Sequence, residues 1–371
     1  MISRGRNELI TTNMKNSASI ILLLSFFIIA GCNSSDPDVK LEPTNLTVSN
    51  VVTADGSGLV TFEANADNAN RYVLAFGDGK TTESTDGKAT HTYPVSDFYT
   101  VRVTAFSVDK LSVEKQIEVT VSVKIASTGY STPDNYAGLA LVWQDEFEGT
   151  ILKSANWTHE IGGSGWGNNE LQYYQEQNAS VENGMLIIKA KRENVGGKIY
   201  TSSRIITQGK KAFKYGRIDI RAKLPKGQGI WPALWMLGSN ISTVGWPKCG
   251  EIDVMEMIGG TGNDNKVHGT VHWDNAGNHA QYGGNKALTD GKIFADEFHV
   301  FSIVWDASFI TWYLDDVKFH VIDITPDGLS ELREESFFIF NVAVGGNWPG
   351  SPDGFTTFPQ FMAVDYVRVF Q

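Results

Sequence analysis

Apolar positions along the chain fall into three regimes. Near the N-terminus the stretch "ASIILLLSFFIIAGC" (18–32) is almost uninterrupted, follows Lys15 and ends in small residues. It is shorter than the ~20 apolar residues a comfortable membrane span needs and has the layout of a cleaved secretory signal. From Leu41 to Lys124 the pattern has period two, as in "GLVTFEANA" and "YTVRVTAFSV", with turn residues recurring between the runs. Such alternation predicts half-buried strands of a small β-sandwich. From Leu139 to Gln371 strand-like runs recur throughout: "GMLIIKAKR", "YGRIDIRAKL", "GEIDVMEMI", "KVHGTVHW", "HVFSIVWD", "SFFIFNVAV" and "FMAVDYVRVF". No long amphipathic helix interrupts them. The expectation is an all-β chain, with a jelly-roll β-sandwich over 139–371 preceded by a small β-sandwich over 44–124. The small, polar stretch 125–138 reads as a linker, and 32–43 as a polar tether after a signal segment at 1–31.

Composition sharpens this division. All ten tryptophans lie between Trp143 and Trp348, and the chain holds 37 glycines, which suits many turns. The formal charge is −11, with no strong basic cluster. That argues against nucleic acid and strongly anionic ligands as partners. There are two cysteines, Cys32 and Cys249. The ending "IIAGC" resembles a bacterial lipobox, which implies cleavage before Cys32 and lipidation of its thiol. Cys249 then has no partner, and no disulfide forms. The expectation is export, with lipid anchoring to the bacterial cell envelope at the outer membrane. Met1 and Met14 both stand as candidate starts, because the stretch before Met14 is polar.

In the first sandwich, "AFGDGK" (75–80) and "HTYPVSDFYTVRVTA" (91–105) resemble a PKD-type immunoglobulin-like domain. Gly77 and Gly79 suit positive φ in a tight turn, and Asp78 is placed for a local turn hydrogen bond. Without a tryptophan to stack on sugar, a spacer is favoured over a glycan-binding module.

The stretch "CGEIDVMEM" (249–257) carries Glu251, Asp253 and Glu256 at i, i+2 and i+5. On a regular strand the first two share a face and the third points away. A β-bulge near Val254–Met255 inserts one residue and returns Glu256 to the shared face, and bulges are enriched beside active sites. The flanking Ile252, Val254, Met255, Met257 and Ile258 make the strand internal. Buried acids are costly unless paired or functional. Two carboxyl groups flanking a bond are the requirement for glycoside hydrolysis, ~5–5.5 Å apart for retention of configuration.

"GEIDVMEMIGG" resembles the bulged signature of family 16 glycoside hydrolases. Matches in the same order run through "WQDEFEG", "GWGNNELQYY", "TSSRI", "YGRIDIRAKLPKGQGIWPALWMLG", "HGTVHWD", "FSIVWDASFITWYLDD", "FNVAVGGNWPG" and "FPQFMAVDYVRVFQ". The set resembles the bacterial laminarinase, or endo-β-1,3-glucanase, branch. Met257 departs from it, where many relatives carry tyrosine. The resemblance implies Glu251 as nucleophile, Glu256 as acid and then base, and Asp253 between them. It implies His272 near the acid/base, with His268 structural. Trp231 and Trp235, four apart in "WPALW", are candidate sugar platforms. Asn168, Glu170, Arg204 and Asn347 are candidate partners for sugar hydroxyls. Relatives often hold one structural calcium, and the matching positions are the carbonyls of Glu146 and Gly184 and the carboxylate of Asp365; oxygen ligation suits a hard cation. No cofactor is expected for catalysis. The expected partner is a neutral β-1,3-glucan, with the protein monomeric. Cleavage of mixed-linkage glucan or of an algal galactan, and a non-catalytic glucan-binding role, stand as alternatives.

Overall fold

The computed structural model describes residues 40–371. The signal segment 1–31, the lipobox with Cys32 and all but the end of the tether lie outside the described residues. The alternating stretch after it forms two antiparallel sheets. Thr44–Val52, Leu59–Asp67 and Lys88–Thr92 make one, and Arg71–Ala75, Thr81–Ser84, Asp97–Phe106 and Ser112–Val121 the other. Their inward residues, among them Val60, Phe62, Leu74, Val101 and Val103, close a core of their own. Gly77 and Gly79 have φ of 87° and 81°, the left-handed region that glycine enters without a Cβ penalty. Asp78 accepts from Lys80 N at 3.1 Å within that turn and meets His91 Nε2 at 2.7 Å. The His91 ring also stacks on Phe76 at 4.1 Å. The FGDG turn and the HTY strand are therefore tied side chain to side chain.

The larger sandwich stacks two large sheets, beside a short parallel pair of Gln172–Tyr174 with Tyr200–Ser202. The first has seven strands in the order Asn278–Ala287, Lys266–Asn275, Glu251–Glu256, Ile230–Gly238, Ser336–Val344, Arg204–Ile206 and Thr158–Glu160. The second, the back sheet, is built around Gln360–Phe370 and Gly216–Lys223. Between them lies one core that includes Leu234, Met236, Ile252, Val254, Trp305, Trp312, Phe338 and Val367. Ser336–Val344 is buried along its whole length, which explains why its sequence is almost uniformly apolar instead of alternating.

The Glu251–Glu256 strand carries the bulge that its spacing predicts. Against Ile230–Gly238, Leu234 faces Met255 and Trp235 faces Asp253, so Val254 is skipped. Against Lys266–Asn275, Asp253 faces Thr270 and Glu256 faces His268, leaving two residues opposite Gly269. Trp312, fully buried on the back sheet, donates its indole N–H to the Asp253 carbonyl at 2.8 Å. That satisfies an acceptor beside the irregular ladder, and an unsatisfied one would cost ~1–3 kcal/mol. Gly269 makes the approach possible: a Cβ there would lie 2.3 Å from the Trp312 ring.

Residues 125–138, read above as a linker, run along the outside of the back sheet and are held to it. Arg221 donates to the carbonyls of Tyr130 at 2.6 Å and Ser127 at 2.8 Å. Tyr136 donates to Asp219 at 2.7 Å, and Arg368 to Asp134 at 2.7 Å. The two sandwiches also touch directly. Val95 packs with Met185, Ile187, Phe298 and Ala363. Lys189 donates to Ser96 O at 2.6 Å, and Lys191 lies 2.6 Å from Asp97.

Candidate active site

With the bulge in place, Glu251, Asp253 and Glu256 all turn away from the core and line one cavity of about 780 Å³ on the outer face of the seven-stranded sheet. The lining begins at Arg204, crosses Asn341, Trp235 and Asp253, and reaches Thr270 and Gln281. It therefore spans the sheet across six neighbouring strands and forms a cleft, not a closed pocket.

Two of the three acids are held by ring donors. Trp246 Nε1 donates to Glu251 at 2.9 Å, and Trp231 Nε1 donates to Glu256 at 3.0 Å. His272, opposite Glu251 in the ladder, places Nε2 3.1 Å from Asp253 and 3.7 Å from Glu251. The shorter approach is off-line, so Asp253 Oδ2 is buried without a well-aligned donor. No lysine or arginine among the described residues pairs with any of the three. Burial, the largest cause, pushes all three carboxyls up to about 8; the Asp253 charge raises Glu251 and Glu256 further, and His272 partly offsets it. Carboxyls this close shed protons in steps that belong to the set. Glu251, with an imidazole within ion-pair reach, is the better placed to ionise first. Glu256, with an indole alone in contact, keeps its proton longer.

The remaining expected site residues divide. Asn168, Glu170, Arg204, Trp231, Trp235 and His272 all line the cleft. Glu170 is mostly engaged from within, accepting from Gln172 at 2.6 Å and Tyr174 at 3.1 Å. Arg204 is paired with Glu160, and its guanidinium sits between the Trp166 and Trp235 rings, 4.9 Å from each. Asn347 is not in the lining: its Oδ1 accepts from Asn169, and the neighbouring Trp348 faces the cleft instead. His268 lines the cavity wall edge-on to Trp348, and burial lowers its pKa.

Sequence reasoning passed over Trp246, Trp166, Trp348, Asn341 and His279. Trp246 had a signal, five residues ahead of Glu251. His279 had none, because its contact with His272 depends on the register of a hairpin.

Among the described residues, Glu251, Asp253 and His272 bring His and carboxylate atoms within 4.8 Å of one another. A cation there would neutralise the very carboxylates the cleft exposes. Glu146, Gly184 and Asp365 lie elsewhere, where Leu141–Asp145 and Met185–Ala190 flank successive parts of Gln360–Phe370. Asp365 is skipped in the pairing with Gly216–Lys223. Its Oδ2 accepts from Arg221 at 2.6 Å, and the Glu146 carboxylate takes Arg368. Two carbonyls and one shared carboxylate fit a hard cation by donor type.

Residues 167–367, more than half of the chain, match the family described as Glycosyl hydrolases family 16. The beta-glucanase of Rhodothermus marinus is 39% identical over 274 residues, covering 68% of this chain and 92% of that protein. The clotting factor G alpha subunit of Tachypleus tridentatus is 42% identical over 236 residues, covering 62% of this chain and 34% of that protein. The chain thus spans about a third of that relative's length. The solved laminarinase catalytic domain from Thermotoga maritima MSB8 superposes with a TM-score of 0.58 at 46% identity, covering 63% of this chain and 98% of that one. Two stacked antiparallel sheets, a bulged strand with three acids on its outer face and a sequence match across that sheet agree: the chain belongs to glycosyl hydrolases family 16.

Proposed function

We propose that this protein cuts internal β-1,3-glucosidic bonds of laminarin-type glucans with retention of configuration. The observation that carries the reading is the trio of uncompensated carboxyls on one face of a bulged strand, at the floor of a cleft that crosses the sheet. A cleft of that extent takes a chain along its length and so favours internal cuts. Glu251 attacks the anomeric carbon while the bond to the leaving oxygen breaks and Glu256 gives that oxygen its proton. Glu256 then takes a proton from water, which attacks the same carbon and releases Glu251. Trp246 orients the nucleophile, and Asp253 sits between the two glutamates. The tryptophan rings that line the cleft offer flat apolar faces to sugar C–H groups.

The only arginine in the lining, Arg204, is already paired with Glu160. That argues against a sulfated galactan. Mixed-linkage glucan remains the second substrate, supported by relatives such as the endo-1,3-1,4-beta-glycanase ExsH of Rhizobium meliloti, 30% identical over 256 residues. All three acids are present, which opposes a purely glucan-binding role. The reading extends to a monomer exported and anchored through lipidated Cys32, with the PKD-like sandwich as spacer. One calcium ion is proposed at Glu146, Gly184 and Asp365 as a structural group with no part in the chemistry.

The test is incubation of the protein with laminarin, lichenan, agarose and carrageenan, following product size and anomeric configuration by NMR. Laminarin should yield mixed oligosaccharides that appear first as β-anomers. Absence of new reducing ends from laminarin overturns the substrate, and initial α-anomers overturn the retaining mechanism.

A further inference from the structure

His279 lies on the strand Asn278–Ala287, which hairpins back onto the His272 strand. Its Nε2 is 2.8 Å from His272 Nδ1, and the two rings stack at 5.1 Å with 19° between their planes. On its other side the His279 ring meets Trp246 at 4.6 Å, and Trp246 is the indole that holds Glu251. One side chain thus contacts both groups that approach the nucleophile from outside its strand.

The opposite edge of the His272 ring dictates the proton arrangement. Its Nε2 faces Asp253 at 3.1 Å and Glu251 at 3.7 Å. A bare nitrogen lone pair beside these groups would repel them once either ionises, so Nε2 carries hydrogen in the state that holds Glu251 charged. Which imidazole nitrogen is protonated is set by the bond the other makes. We infer that His279 is a positioning residue: through Nδ1 it holds His272 in the ring plane and tautomer that keep Nε2–H on the side of Asp253 and Glu251, within ion-pair reach of both. The device works in both charge states of His272. When His272 is neutral, His279 Nε2–H donates to Nδ1. When His272 is cationic, Nδ1–H donates to His279 Nε2, and the proton at the carboxylate end stays in place. Slight desolvation of this exposed ring and the adjacent His272 lower the His279 pKa, which keeps His279 neutral and able to accept. The inference rests on Glu251 as the nucleophile, but its geometry stands apart from the identity of the glucan.

The test compares His279→Phe, which keeps a ring but removes both nitrogens, with His279→Gln, which restores a donor and an acceptor. Loss of a hydrogen bond in the charged class corresponds to about a ten- to hundredfold fall in kcat, and KM on laminarin should stay within about twofold because a phenylalanine ring still packs on Trp246, and Trp231 and Trp235 are untouched. His279→Gln should recover most of that loss. In protein labelled at histidine with nitrogen-15, the His272 ring should show one tautomer in the wild type and averaged nitrogen shifts in His279→Phe. The NMR readout needs no substrate, so it separates failure here from failure of the glucan assignment. Wild-type kcat in His279→Phe, a rise in KM alone, or an unchanged His272 spectrum would each overturn the role.

Discussion

The larger sandwich presents buried charge on both of its outer faces and treats it in opposite ways. On the back sheet the acids beneath the 125–138 strap meet guanidinium groups. Asp219, fully buried, has Arg217 at 2.8 Å, and the half-buried Asp365 and Glu146 have Arg221 and Arg368 at 2.6 Å and 2.7 Å. On the cleft face three acids share one histidine and two indoles. Pairing removes most of the cost of burial, so the back face uses its ions to clamp the 125–138 strap. The cleft face leaves that cost standing, and the raised carboxyl pKa values are its signature. Buried charge with a counter-ion is architecture here, and buried charge without one is chemistry.

Four changes test this contrast, the largest effect first. Glu251→Gln should lower kcat on laminarin by on the order of four decades or more while leaving the thermal midpoint equal to or above that of the wild type. A midpoint that falls instead would place Glu251 among the structural ions. Arg221→Met strands the Asp365 carboxylate and the Ser127 and Tyr130 carbonyls, and should cost about 3 kcal/mol in urea unfolding with kcat per folded molecule unchanged. If it proves silent, the back-face pairs are ornaments.

The third concerns pH. The folded protein holds the cleft carboxyls near 8, whereas in the unfolded chain they titrate at about 4. The folded state therefore binds more protons across that window, and the trio's contribution to stability falls as pH rises through it. The Glu251→Gln midpoint should match the wild type near the lower limit and exceed it increasingly toward about 8. In the same range kcat should follow a bell, rising as Glu251 ionises and falling as Glu256 loses its proton. A midpoint difference independent of pH sinks the claim. The smallest effect is expected from chelation: EDTA should lower the thermal midpoint by a few degrees, reversed by calcium, with kcat at 25 °C unaffected, since binding only to the native state stabilises by about 3 kcal/mol at a hundredfold excess over Kd. No shift removes calcium from the Asp365 region.

Much of this was legible before any coordinates. Period-two runs marked the strands, and the i, i+2, i+5 spacing of the acids required a bulge that the register contains. Where the reading stopped, the cause was distance along the chain. Trp312 supports the Asp253 carbonyl from 59 residues away, and nothing local predicts that an indole from the opposite sheet ends there. Asn347 shows the reverse case: the motif "GGNW" marked the right loop, but which of two adjacent side chains faces the cleft depends on local dihedrals.

The sequence by itself determined the all-β class, the internal character of the acid strand and the identity of its three carboxyls, because periodicity and spacing are properties of neighbours along the chain. Only the tertiary structure decided what surrounds those carboxyls. Their missing counter-ions, the indoles that hold two of them, the His272–His279 contact and the clamped strap all join segments far apart in sequence. A residue's charge cost is set by the neighbours that folding gives it.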